Sequence, residues 1–267
     1  MRQNDRVRQV RRYKMLLCAA VGVAAGALIT FIAAKGVLSE HEQTLTTQNE
    51  ALEKENEDLR TQVSKTEAVE DSASLLSSGS ENWAIALVNE GHPLDTSYVP
   101  AEMTEIESER SVGSRIADDL KRMLSDAKDA GLSMYVASAY RSYEKQREVF
   151  NNTMQDWISQ GYSPLNAYDE TKKSVAVPGT SEHATGLAVD IISSEYEALD
   201  DRQGDTEEQK WLMEHCWEYG FILRYPSDKS DVTNIVYEPW HYRYVGKEAA
   251  KEITEQNITL EEYVLGQ

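Results

Sequence analysis

The apolar residues of the chain form one long uninterrupted run near the N-terminus and shorter periodic segments further on. The long run, MLLCAAVGVAAGALITFIAA, covers residues 15–34 without a charged residue. At about 1.5 Å per residue, a helix of this length spans about 30 Å, the thickness of a bilayer's hydrocarbon core. The pattern predicts a transmembrane anchor over residues 15–35, and a cleaved secretory signal is the alternative.

The residues that precede this run set its orientation. Residues 1–14 contain a basic cluster made of Arg2, Arg6, Arg8, Arg11, Arg12 and Lys14. Because basic flanks stay on the cytoplasmic side of a membrane, we expect a short cytoplasmic tail and an exported C-terminal part.

A heptad pattern follows the apolar run. Leucine recurs every seven residues, at Leu45, Leu52 and Leu59, and asparagine occupies the alternate seam positions Asn49 and Asn56. Leucine at one seam position with asparagine at the other favours a short coiled coil of defined register, through which the chain would form a homodimer. A solvated single helix or a flexible stalk is the alternative, since three heptads are marginal. With the serine-rich DSASLLSSGS interpreted as a linker, the stalk covers residues 36–80.

The remaining residues, 81–267, have the length of one globular domain. Apolar positions at helical spacing predict helices around residues 116–127, 146–157 and 212–219, and Thr259 with Glu262 forms a capping box that opens a terminal helix. Four short segments have the composition of strands: LSMYVASAY, GLAVDI, FILRY and WHYRYV. No Gly-rich phosphate loop is present, and the order of elements predicts an α+β fold, a mainly antiparallel sheet flanked by helices.

The charge of the chain is strongly asymmetric. The net charge is −19, and residues 1–35 contribute +6 from seven basic residues and one acidic residue, so the rest of the chain carries −25. A surface this acidic repels phosphate, which argues against nucleic acid as a partner.

One predicted strand carries a carboxylate. In TSEHATGLAVDI, Leu187, Val189 and Ile191 would point to one face of the strand, and Asp190 would point to the other. A buried carboxylate needs a partner, and His183 can turn back over the same face because Gly186 permits a sharp approach. A mixed nitrogen and oxygen ligand pair of this kind suits zinc, which needs a third protein ligand.

The segment EPWHYRYVG, residues 238–246, offers that third ligand in His241. Glu238 precedes it by three residues, so on a regular strand the two side chains would point to opposite faces. Pro239 disrupts strand pairing, and a kink there would bring both to one side. We therefore expect His241 to bind the metal and Glu238 to act as a general base.

Three segments together resemble the signatures of VanY-type D-alanyl-D-alanine carboxypeptidases, which belong to a wider group of zinc peptidases that includes lysostaphin and the hedgehog domain. They are SAYRSYEKQ at residues 138–146, SEHATGLAVD at 181–190 and EPWHYRYVG. The segment LVNEGHPLDTSYVP, residues 87–100, also resembles the opening of these catalytic domains. The resemblance spans residues 81–267, with the motifs in order.

The resemblance implies a zinc site on the sheet, with His183, Asp190 and His241 as ligands and Glu238 as the catalytic base. It also implies that Arg141 binds the substrate carboxylate or stabilises the oxyanion, and that Ser181 and Gln146 help to hold the peptide end. The implied reaction removes the terminal D-alanine from peptidoglycan stem peptides, on the cell-wall side of the membrane.

Two other functions remain open from the sequence. Removal of D-alanine from a stem tetrapeptide, which is an L,D-carboxypeptidase reaction, would use the same metal ligands. A non-catalytic wall-binding protein is a candidate from a different class, although it would not need the complete set of zinc ligands and Glu238.

Overall fold

The computed structural model describes residues 72–77 and 82–266. These residues lie within one compact unit, Glu70–Gln267. The predicted cytoplasmic tail, transmembrane anchor and coiled coil lie outside the described residues. Within the described ranges, no helix has the length and apolarity needed to cross a bilayer.

Strands and helices alternate irregularly along this unit. The strands are β1 (Met103–Glu107), β2 (Arg110–Gly113), β3 (Met134–Ser138), β4 (Ala188–Ser193), β5 (Phe221–Leu223) and β6 (His241–Tyr244). The α-helices are α1 (Ser72–Ser77), α2 (Ala117–Asp129), α3 (Tyr143–Ser159), α4 (Pro164–Thr171), α5 (Glu207–His215), α6 (Ser230–Thr233), α7 (Lys247–Gln256) and α8 (Leu260–Leu265).

The central feature is a four-stranded sheet in the order β3-β4-β6-β5, in which every neighbouring pair is antiparallel. A separate antiparallel hairpin joins β1 to β2. All six residues of β4 and all four of β6 are buried, because these two strands occupy the middle of the sheet. The predicted α+β class with a mainly antiparallel sheet is therefore confirmed.

The two faces of the sheet have different roles. Side chains alternate along a strand, so Leu187, Val189 and Ile191 share one face. Together with Phe221 and Tyr242, they join the larger apolar core, to which α2 and α5 also contribute residues. The opposite face carries Asp190 and His241 in its middle, and a smaller apolar cluster with residues of α7 lies toward β5. Apolar packing on one face thus supports polar side chains on the other.

The sequence-based interpretation of residues 72–77 as linker is wrong. These residues form α1, and the hydroxyl of Ser72 donates a hydrogen bond to the backbone oxygen of Leu87 at 2.5 Å. Leu76 packs against the larger apolar core. Leu76 thus supplies an apolar contact that a solvated linker would lack.

A glycine turn fixes the approach to β4. A short 3₁₀ turn, Glu182–Thr185, ends at Gly186, whose φ of 72° is in the left-handed region. A Cβ built on Gly186 would lie 2.9 Å from the backbone nitrogen of Gly113. Any larger residue there would therefore be strained by its backbone and would collide with the end of β2.

We expect Gly186→Ala to lower the free energy of unfolding by about 2–3 kcal/mol, because it combines left-handed strain with a backbone collision. Gly131→Ala is the matched control, since Gly131 has a φ of 87° but no atom within 4 Å of an added Cβ. The control should lose only about 1 kcal/mol. Urea unfolding of both variants measures the difference, and equal losses would show that the close approach of Gly186 to Gly113 is unimportant.

Candidate active site

Asp190 and His241 are brought together by strand pairing. The two residues are direct partners in the register of β4 and β6, so their side chains leave the sheet on the same face. The Nδ1 atom of His241 lies 3.1 Å from Oδ1 of Asp190. Both side chains are more than nine-tenths buried.

His183 reaches the same point from the 3₁₀ turn that precedes β4. Its Nδ1 atom lies 2.7 Å from the backbone oxygen of Ala139. A carbonyl oxygen only accepts hydrogen bonds, so Nδ1 carries the proton and Nε2 is left with a free lone pair. That Nε2 faces Asp190, 3.3 Å from its Oδ2 atom. His183 therefore presents an unprotonated nitrogen to the cluster.

The three side chains fit a zinc ion. One nitrogen from each histidine and one oxygen of Asp190 all lie within 4.8 Å of one another. Among the described side chains, Oδ1 of Asp190 is a buried atom without a hydrogen-bond partner, as expected of an oxygen whose partner is a cation. Two imidazole nitrogens and a carboxylate oxygen are a donor set that zinc commonly takes, with a further coordination position left open.

The charges around the cluster favour an ionised Asp190. Burial alone would raise the pKa of Asp190, but His183 and His241 outweigh this effect and hold the pKa below its usual range. Burial lowers the pKa of His183, which favours its neutral form. An ionised carboxylate and a neutral imidazole are the states in which these side chains bind a metal.

Glu238 joins the cluster through a turn. Pro239 and Trp240 occupy the turn that leads into β6, and the backbone nitrogen of His241 donates to the oxygen of Glu238 at 3.1 Å. This geometry places Oε2 of Glu238 3.7 Å from Nδ1 of His241. The structure thus has the turn at Pro239 that the sequence suggested, and it brings the Glu238 and His241 side chains to one side.

The environment of Glu238 differs from that of Asp190. Burial raises the pKa of Glu238 to about 8, and the charge of Asp190 acts in the same direction, against the opposing effects of His241 and Arg141. A carboxyl group with a pKa near neutrality can both accept and release a proton at physiological pH.

Arg141 is held beside the cluster by two side chains. It donates to Oε1 of Gln146 at 2.9 Å and to the hydroxyl of Ser138 at 2.8 Å. One of its nitrogens lies 3.9 Å from Asp190, and its side chain is 19% exposed. The guanidinium is therefore fixed in direction and remains accessible to a ligand.

Gln146 and Ser181 also line the cleft, but they differ in what they can offer a ligand. The amide of Gln146 is almost fully buried, and its nitrogen donates to the backbone oxygen of Ala176 at 2.6 Å while its oxygen accepts from Arg141. Gln146 therefore orients Arg141 and ties it to the loop after α4. Ser181 is buried in the wall of the cleft, directly before the 3₁₀ turn.

The cluster opens into a cleft of about 300 Å³. The cleft is lined by Arg141, Glu238, His241 and Tyr225. The centroid of the Tyr225 ring lies 4.9 Å from that of the His241 ring. A larger cavity of about 390 Å³ adjoins the cleft across Tyr225 but contains none of the three candidate ligands. The smaller cleft is the candidate active site because it contains the candidate ligands and the perturbed carboxyl group.

Sequence reasoning missed a buried ionic network behind the cluster. Glu182 accepts from Arg224 at 2.8 Å and from Arg243 at 2.9 Å, and Arg224 also bonds both carboxylate oxygens of Glu261. Burial alone would raise the pKa of Glu182, but the two guanidinium groups outweigh it and hold the pKa well below its usual range. The available signal was that Glu182 and Arg243 belong to the same two segments as the candidate ligands.

The sequence was compared with protein families and with curated proteins. The family model described as VanY, D-alanyl-D-alanine carboxypeptidase, matches residues 109–247. A D-alanyl-D-alanine carboxypeptidase of Enterococcus faecalis is 39% identical over 184 residues, which cover 69% of this chain and 66% of that protein. The alignment therefore spans just under two thirds of the relative's length.

Solved structures of similar proteins match this chain over a larger share of their own length. VanYB in complex with D-alanine-D-alanine is 40% identical with a TM-score of 0.62, covering 68% of this chain and 97% of that one. A variant of the D,D-pentapeptidase VanY in complex with Zn(II) is 39% identical, with a TM-score of 0.62 and coverages of 68% and 99%. The LD-carboxypeptidase LdcB is 40% identical, with a TM-score of 0.60 and coverages of 67% and 85%.

The family expected from the three sequence segments is confirmed by these matches, and the zinc expected from the donor set agrees with the Zn(II) complex of a relative. The chain belongs to the VanY family of D-alanyl-D-alanine carboxypeptidases.

Proposed function

We propose that the protein is a zinc-dependent D-alanyl-D-alanine carboxypeptidase that removes the terminal D-alanine from peptidoglycan stem peptides. The observation that carries this proposal is the buried group of His183, Asp190 and His241, with Glu238 and Arg141 on the same cleft. The names of the relatives support the reaction class, and the bound D-alanine-D-alanine of VanYB supports the substrate.

We assign the metal to His183, Asp190 and His241. Zinc supplies Lewis acidity, which polarises a peptide carbonyl and makes water a stronger acid. Glu238 would take a proton from the attacking water and pass it to the nitrogen of the departing D-alanine. The raised pKa of its carboxyl group suits both steps, since a general acid-base group acts best near the ambient pH.

Arg141 would select for a free carboxyl terminus. A guanidinium whose direction is fixed by Ser138 and Gln146 can form a bidentate pair with a carboxylate. An internal peptide bond offers no such charge at that position. We therefore assign Arg141 to the terminal carboxylate of the substrate, with Ser181 in the adjoining wall, and Gln146 acts on the substrate through Arg141.

An L,D-carboxypeptidase is the second candidate. LdcB resembles this chain about as closely as VanYB does, with TM-scores of 0.60 and 0.62. Both reactions release D-alanine from a free carboxyl terminus, so the zinc ligands, Glu238 and Arg141 would serve either one. A non-catalytic wall-binding protein is less well supported, because it would need none of these side chains.

We propose further that residues 15–35 anchor the protein in the cell membrane and that residues 36–80 form a stalk. Residues 81–267 would then face the cell wall, where stem peptides are found. The uncharged run behind a basic cluster supports the anchor, and the heptad leucines support a homodimer through the stalk.

The first prediction of the proposed function concerns the products. Zinc-loaded protein, incubated separately with stem pentapeptide and tetrapeptide, should release one alanine from the pentapeptide, as measured by mass spectrometry. Glu238→Gln should lower kcat by at least about 100-fold with little effect on KM, since it removes proton transfer and keeps the shape of the side chain. A pentapeptide amide should be a poor substrate because it offers Arg141 no carboxylate.

Each result of that assay leads to a different assignment. Cleavage of the tetrapeptide in place of the pentapeptide would establish the L,D reaction. Cleavage of neither peptide would favour the wall-binding protein, and full activity of Glu238→Gln would remove Glu238 from the mechanism.

The second prediction concerns the metal ligands. Wild-type protein should bind one zinc ion, and His183→Ala should weaken the affinity by about 100-fold or more, because one of three protein ligands is lost. His215→Ala is the matched control, since that histidine lies on the surface and pairs with Glu218. Competition with a chromogenic chelator measures both affinities, and an unchanged affinity in His183→Ala would contradict the ligand assignment.

The third prediction concerns the anchor. Full-length protein expressed in a bacterium should remain in the membrane pellet after a high-salt wash and should be extracted only by detergent. A chain that lacks residues 1–35 and is exported by another signal should be soluble. Recovery of the full-length product as a shortened soluble chain would show that the N-terminal segment is a cleaved signal.

A further inference from the structure

The carboxylate of Glu182 has two oxygens with different partners. Its Oε1 accepts from Nε of Arg224 and from Nη1 of Arg243. Its Oε2 faces His241, 3.5 Å from the Nε2 atom of that ring. Among the described side chains, these two facing atoms are both buried, and neither makes a hydrogen bond of good geometry. A hydrogen bond from Nε2 of His241 to Oε2 of Glu182, across the 3.5 Å that separates them, would satisfy both atoms.

The position of Glu182 affects which nitrogen of His241 is available to the metal. Nδ1 points toward Asp190 and Glu238, at 3.1 and 3.7 Å from their nearest oxygens, whereas Nε2 points away toward Glu182. Nδ1 can bind a cation only when the ring proton is on Nε2. His183 has the complementary arrangement, in which a backbone carbonyl holds the proton on Nδ1.

The rest of the network keeps Glu182 in place. Arg243 also donates to the backbone oxygens of Ala84 and Ala86, and Arg224 is bound in turn by Glu261. Both guanidinium groups are fully buried. Two positive charges thus face the two carboxylates of Glu182 and Glu261, and Oε1 of Glu182 has no freedom to turn away from its two donors.

We propose that Glu182 is a positioning residue for the metal site, which accepts the Nε2 proton of His241 and so directs Nδ1 toward the metal. The inference rests on the proposed zinc site and adds a residue that does not contact the metal. Histidine ligands commonly donate their outer N–H to a carboxylate, and loss of such a partner typically costs 10–100-fold in metal affinity.

Substitution of Glu182 by glutamine tests this sharply. Two arginines donate to Oε1, so the amide oxygen must occupy that position, and the amide NH₂ must face Nε2 of His241. An NH₂ group is a donor, so it favours the tautomer of His241 in which Nε2 is free to accept a hydrogen bond. The ring proton is then on Nδ1, and this proton blocks metal binding there. The amide of Glu182→Gln therefore reverses the hydrogen bond while it preserves the volume of the side chain.

Glu261→Gln is the matched control, because it removes the other carboxylate of Arg224 without contact to His241. Both variants should lower the melting temperature of the full-length protein, since each removes a negatively charged partner of a buried guanidinium. Glu182→Gln should weaken zinc binding by about 10–100-fold in the chelator competition. Glu261→Gln should change the affinity by less than about threefold.

A spectroscopic measurement on the wild type does not depend on the folding of any variant. Long-range ¹H–¹⁵N correlation of ¹⁵N-histidine-labelled, zinc-loaded protein, with His241 assigned by substitution, should show a proton on Nε2 and zinc on Nδ1. The opposite assignment would overturn the proposal, as would equal zinc affinities of Glu182→Gln and Glu261→Gln. Wild-type protein that binds no zinc would instead refute the zinc site itself, and with it both proposals.

Discussion

The structure depends on the burial of the Asp190 carboxylate in the middle of a sheet. An isolated carboxylate at such a position would cost several kcal/mol or more, so the surrounding chain must supply polar or cationic partners. His183, His241 and Arg141 surround it, each from a different element. The strand register, the turn at Gly186 and the loop that carries Arg141 all converge on this one charge, and the proposed zinc ion would complete its neutralisation.

The positions of the site residues could be predicted from short segments because the local signals were strong. Alternation in GLAVDI assigns Asp190 to the face opposite Val189, and the structure has the same alternation. Pro239 signalled a break, and the chain turns there before His241. The capping box of Thr259 and Glu262 is also present. In each case the determining interactions lie within a few residues of sequence.

Other parts of the molecule depend on contacts between distant residues, for which no comparable local signal exists. The hairpin of β1 and β2 has a polar sequence, MTEIESERSVG, and its Val112 packs in the larger apolar core. Arg224 and Glu261 are 37 residues apart, and Arg243 and Glu182 are 61 apart. In a chain with 46 acidic residues, no pattern distinguishes the few that are buried.

The buried network beneath the candidate metal ligands is difficult to explain by stability alone. Buried ion pairs lose most of their Coulombic gain to desolvation, and apolar residues of similar volume are often as stabilising. Arg224, Arg243, Glu182 and Glu261 nevertheless occupy a region of the fold that apolar side chains could fill, next to an apolar cluster that includes Ile222 and Leu260. What apolar residues could not do is hold a carboxylate in a fixed direction against His241. The location of the network, directly behind His241, therefore indicates that this part of the core is shaped by the chemistry of the site.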